Sequence, residues 1–147
     1  MGSARFALTI DKRTWARMDR VLAKASIELR QRMVKKAIRK AARKIAIAMK
    51  KRAPVSDDDK GKPLKETIGV VVREYGARTT AIIGPEYPAG SHGHLVEFGH
   101  EEVLFGVKTG RRVPPHPFAR PAFDETKEEA KNEIVRSLVA DVRTIGK

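Results

Sequence analysis

Val34, Ile38, Ala41, Ile45 and Ala48 recur at steps of three and four residues. A strand repeats every second residue, so this spacing fits only a helix with one apolar face. Arg32, Lys36, Arg39, Lys40 and Arg43 occupy much of the remaining circumference. Such a helix is stable only if something covers its apolar stripe. It must end before Pro54, because the residue ahead of a proline is biased out of helical geometry.

The flanking segments supply the cover. Upstream, residues 5–9 (RFALT) read as a short strand. Asp11 is a plausible N-cap for a first helix carrying Trp15, Met18 and Leu22, and Ser26 with Glu28 reads as a second cap or a break. Downstream, 56–63 (SDDDKGKP) is a polar loop. Residues 67–74 are β-branched and largely alternating, which predicts a strand. A turn at 75–78 returns the chain as an antiparallel partner over 79–84. Residues 85–93 are loop, a third strand is expected over 102–107, and Thr109-Gly110 reads as a turn.

RVPPHPFARP (112–121) places four prolines in ten residues, too many for a ladder or a helix interior. It is expected to be an extended arm running into a last helix marked by Phe123, Ala130, Ile134, Leu138 and Val142. The predicted fold is a small α+β domain over 1–147. In it the basic helix and the C-terminal helix pack on an antiparallel sheet of about three strands, with 1–26 peripheral.

The 147 residues suit one core, and aromatics make up only 5%, so that core is mainly aliphatic. Cysteine is absent, which excludes disulfides and thiolate metal sites. No apolar run approaches the roughly 18–20 residues of a membrane helix, and the opening MGSARFALTI does not resemble a secretory signal. The net charge of +13 predicts attraction to polyanions or acidic protein surfaces. Between Asp11 and Arg52 the only acids are Asp11, Asp19 and Glu28. Arg32, Lys35, Lys36, Arg39, Lys40 and Arg43 are accordingly the candidates for contact with a polyanion such as DNA. Interleaved aromatics and known DNA-reading motifs are missing, so contact with DNA would be non-specific.

Residues 91–101 (SHGHLVEFGHE) hold three of the four histidines and two glutamates. The residue types suit a transition metal, but nothing in the spacing makes them converge, and HExxH is absent. A glycine-rich loop entering a short helical turn accounts for the stretch without metal. In that turn Leu95 and Phe98 pack inward, Glu97 faces polar groups and Gly99 ends the turn. Phosphate-binding loops and nucleophile elbows are also missing. The expectation is therefore no catalytic residue, no cofactor and no metal.

Placed in order, these segments resemble a known family. The pieces are Lys50-Lys51-Arg52-Ala53-Pro54-Val55, Leu64-Lys65-Glu66-Thr67-Ile68, Ile83-Gly84-Pro85, His94-Leu95-Val96-Glu97-Phe98-Gly99, and Pro114-Pro115 through Pro117-Phe118-Ala119-Arg120-Pro121-Ala122. From about Met33 to Ile134 the chain is similar to the neck and tail-completion proteins of long-tailed bacteriophages, typified by the minor tail protein Z of lambda-like phages. Where that family often has threonine after E-F-G, this chain has His100, and its loop after Val55 is longer and more acidic.

The resemblance implies a non-enzymatic virion protein of the head–tail junction, from a phage, prophage or related particle. It implies a ring of identical subunits bound to other neck or tail proteins, made in the host cytoplasm and acting without a membrane. Glu97, Phe98, Pro114, Pro115, Pro117, Phe118 and Arg120 are then the candidate interface residues, with Phe118 either the anchor of a preorganised arm or a filler of the domain's own core, the prolines in that case merely guiding the chain across the sheet. A basic nucleic-acid-binding module using the 32–52 helix is the alternative.

Overall fold

The computed structural model describes residues 13, 16, 19, 20, 23, 26–55, 62–76 and 78–145. The strand expected over 5–9 and the Trp15–Met18–Leu22 face of a first helix lie outside the described residues.

The amphipathic stretch forms α1, Ile27–Arg52. Ser26 caps it, its hydroxyl accepting from the Leu29 N–H at 3.4 Å. Glu28 lies in the first turn and Lys50, Lys51 and Arg52 in the last, each sign matched to the helix dipole. Ala53 ends the helix in extended geometry, immediately ahead of Pro54.

A short α2 (Leu64–Thr67) leads into β1 (Ile68–Tyr75), which pairs antiparallel with β2 (Arg78–Pro85). Val70 and Ile83, facing each other in the register, pack into the core. Their neighbours Val71 and Ile82 also face each other and are exposed on the opposite face. After α3 (Gly93–Phe98) come β3 (His100–Leu104) and β4 (Val107–Val113), a second antiparallel pair. The chain ends in the long helix α4, Ala119–Ile145.

The α+β class holds, but the architecture differs from a three-stranded sheet under two helices. There are two separate two-stranded sheets. The strand expected over 102–107 spans a turn, because Phe105 and Gly106 both take positive φ (52° and 81°) and reverse the chain. Thr109-Gly110, read as a turn, lies inside β4, opposite an irregularity between Glu101 and Val103. A β-bulge carries the same glycine signature as a turn, which accounts for the confusion.

Among the described residues α1 and the short α2 lie on β1 and β2, and α4 packs chiefly on α1. Ion pairs fix how the helices lie. Lys36 meets Asp141, Lys44 meets Glu129 and Glu133, and Arg52 meets Glu125, so the helices run antiparallel. Small side chains (Ala37, Ala41 and Ala46 of α1; Ala122 and Ala130 of α4) are buried between larger Met33, Ile45, Met49, Ile134 and Leu138. Alanines let two helix backbones approach closely, so a core poor in aromatics still packs tightly.

Candidate functional site

Three features bear on function: a buried clasp, an exposed hairpin tip and a basic ridge. The clasp joins the Glu97 region to the proline-rich arm. One helical turn, α3, presents Glu97 to the start of α4. Its carboxylate accepts from the backbone N–H groups of Phe118 (2.7 Å), Ala119 (2.9 Å) and Arg120 (3.1 Å). The first N–H groups of a helix have no partner within it. A carboxylate there satisfies several at once and meets the positive end of the dipole. The His116 N–H donates to the Val96 carbonyl at 2.8 Å and ties the arm to the same turn.

Gly99 completes the clasp. Its φ is +70°, and a Cβ at this position would stand 2.6 Å from the Val113 carbonyl oxygen. Only glycine fits both the conformation and the approach. Glu97, Phe98 and Gly99 and the distant Pro114–Arg120 arm thus form one internal joint.

This corrects part of the interface expectation. Glu97 is buried, and Phe118 is 1% exposed in the chain's own core. An aromatic ring beside an alanine-lined helix pair fills the subunit before it can reach a neighbour. Phe98, expected to pack inward, is 53% exposed, while Leu95 is half-buried. Pro114, Pro115, Pro117 and Arg120 lie on the surface. The helix starts at Ala119, so Arg120 and Pro121 belong to its first turn, where proline is tolerated, and the extended arm is 114–118.

His92 and His94 are exposed, and both Glu97 oxygens are committed to backbone N–H groups. Among the described residues, no group of three His, Cys, Asp or Glu side chains comes together to hold a metal ion.

The second feature, the tip of β3–β4, was hidden in what reads as a third strand. Val103, Leu104, Phe105 and Val107 are all more than half exposed, and among the described residues no other element packs substantially on this hairpin. The signal available in the sequence was a glycine after an apolar run, in V-L-F-G-V.

The third feature is the outward side of α1. Arg32, Lys36, Arg39, Lys40 and Arg43 are exposed along it, and with half-buried Lys35 they are the described residues that line a shallow groove of about 390 Å³. Lys35 is engaged by Glu74 at 3.4 Å and Lys36 by Asp141 at 2.7 Å. Arg32, Arg39, Lys40 and Arg43 have no carboxylate within 4.0 Å among the described residues. The structure therefore brings together all six residues expected to meet a polyanion. The ridge continues through exposed Ile47, Lys50 and Lys51.

The chain is a member of the family described as "Bacteriophage HK97-gp10, putative tail-component", which matches residues 16–99. It is thus a structural protein of the phage tail. The matched span starts earlier than the resemblance expected over 33–134 and ends before the second hairpin and the proline arm. No curated protein and no solved structure matches the chain. No described helix is long and apolar enough to cross a membrane.

Proposed function

We propose that this tail component is a subunit of the head–tail junction, of the same kind as the minor tail protein Z of lambda-like phages, and that it works by assembly and not by catalysis. Copies join into a ring that binds neighbouring neck or tail proteins within the virion. The observation that carries this reading is Phe105. It occupies a turn position with φ of +52° and its side chain is fully exposed. Both central residues of such a turn have positive φ, a geometry that asparagine and glycine adopt readily and a bulky residue does not. A costly conformation that returns nothing within the chain points to use elsewhere. A lone two-stranded hairpin is marginal in water, so a neighbour that covers the tip also stabilises it.

The bare Val71–Ile82 face of β1–β2 is the surface on the next copy that suits this tip. Aliphatic side chains on a sheet exclude water around an inserted ring without requiring polar partners. The test is solution mass, measured for the chain alone and with adjoining tail proteins. The expected result is an oligomer that Phe105→Ser converts to folded monomer. A wild-type chain that stays monomeric alone and with those proteins refutes the reading.

A further inference from the structure

We propose that the exposed ridge of α1 is a binding site for the phosphate backbone of duplex DNA. The site is complete on a single chain and does not depend on ring assembly. Its core is Arg32, Arg39, Lys40 and Arg43, the four groove-lining cations that meet no carboxylate among the described residues. They stand at helical spacing along one line. From Arg32 to Lys51 the ridge runs about 28 Å at the ~1.5 Å rise of an α-helix. The opposite side of α1 is buried against α4 and β1–β2, so the charges are carried on a fixed rod. Duplex DNA carries a phosphate charge about every 1.7 Å along its axis, and each contact releases condensed counterions.

The surrounding chemistry separates DNA from other polyanions. An acidic protein partner would need an apolar or aromatic anchor at the centre of its contact. Among the described residues the groove is lined by arginine and lysine alone, and Ile47 is the one large apolar side chain exposed farther along the ridge. Insertion into an anionic membrane needs a free apolar face, and that face of α1 is already covered. Single strands bind by stacking on aromatic rings, and the ridge has none. Arginine guanidinium groups at 32, 39 and 43 can each grip a phosphate through two N–H donors. Such contacts position a duplex without reading its bases.

The test is fluorescence anisotropy with 30-base-pair duplexes of two unrelated sequences, titrated against salt. Four phosphate contacts predict an affinity that falls about 100-fold between about 50 and 200 mM salt, equally for both sequences. Replacing Arg39, Lys40 and Arg43 together by alanine should reduce that fall to about 4-fold. These positions are exposed, and circular dichroism verifies that the variant folds. The control removes the same net charge elsewhere, through Lys127→Ala, Lys131→Ala and Arg136→Ala on α4, and should leave binding within 2–3-fold of wild type, roughly what the loss of general attraction allows. Equal loss in both triple variants would make the effect one of net charge and overturn the site. So would a preference above tenfold for one sequence, or tighter capture by phosphatidylserine vesicles than by duplex. None of these results bears on solution mass, so the site and the ring stand or fall separately.

Discussion

Glu97 concentrates more of the structure than any other polar side chain, because three backbone donors depend on one carboxylate. Removing it in Glu97→Ala leaves those donors in a buried place without acceptors. The expected cost is about 3 kcal/mol, combining a lost charged cap with unsatisfied N–H groups. In thermal unfolding followed by circular dichroism this is a fall on the order of 10 °C. Glu97→Gln keeps one acceptor oxygen, but its NH2 faces a backbone donor and neutral hydrogen bonds are roughly half as strong, so it should lose at least about half as much. If instead both variants melt like wild type, the carboxylate does not hold the helix start. The role was only half legible in the sequence. That Glu97 faces polar groups follows from its place in the turn. Its partners, however, are backbone groups more than twenty residues away, and backbone N–H groups leave no trace in a side-chain pattern.

Among the elements, those set by periodicity were the legible ones. α1 followed from its apolar steps and from Pro54, and β1–β2 from alternation. The second hairpin was misread because Phe105 looks like a strand residue and sits in the turn. Its φ of +52° reverses the chain there, a conformation that an aromatic residue rarely takes and that an apolar run does not announce. The α1–α4 pairing could not be read either, since each helix shows one apolar face and periodicity does not say which faces meet. Lys44 and Glu129 illustrate its pH dependence. The hydrogen bond from Lys44 (2.6 Å), reinforced by its charge, holds the Glu129 carboxyl below its ordinary 4.5, and the same bond raises Lys44 above 10.5. A depressed carboxyl pKa stabilises the fold above the unfolded value and stops doing so as pH falls through the folded one. The lysine contribution is present below 10.5 and fades as pH rises through its raised value. The gap in Tm between wild type and Glu129→Gln should therefore be constant near neutrality and close in acid below the folded Glu129 value. Both groups are solvent-exposed, so the gap should be small and shrink in high salt. A gap that persists in strong acid would mean that the ion pair is not its source.

For the whole molecule, the geometry of self-association follows from where the bare apolar surfaces lie. The chain carries a net charge of +13, so copies repel unless they meet through faces with little charge. The Val103–Val107 tip is one such surface, and the Val71–Ile82 pair is a second apolar patch, on a sheet face that also carries Arg73 and Arg78; they are different surfaces of the same subunit. Contact between unlike surfaces is head-to-tail and can close into a ring, whereas a tip that pairs with another tip gives a two-fold dimer and stops. The absence of cysteine makes the distinction direct to measure. Lys108→Cys, beside the tip, and Arg73→Cys, on the same sheet face as Val71, leave Phe105 and Ile82 in place. Mixed in equal amounts with a short bis-maleimide, they should give mainly a cross-linked pair containing one of each. The chain carrying both substitutions should give a ladder of higher multimers. A product dominated by Lys108→Cys joined to itself would replace the ring contact with a two-fold one. An oligomer by mass that cross-links in neither way would move the contact to Phe98 and the exposed prolines of the arm, Pro114, Pro115 and Pro117, which lie beside the clasp and apart from the tip.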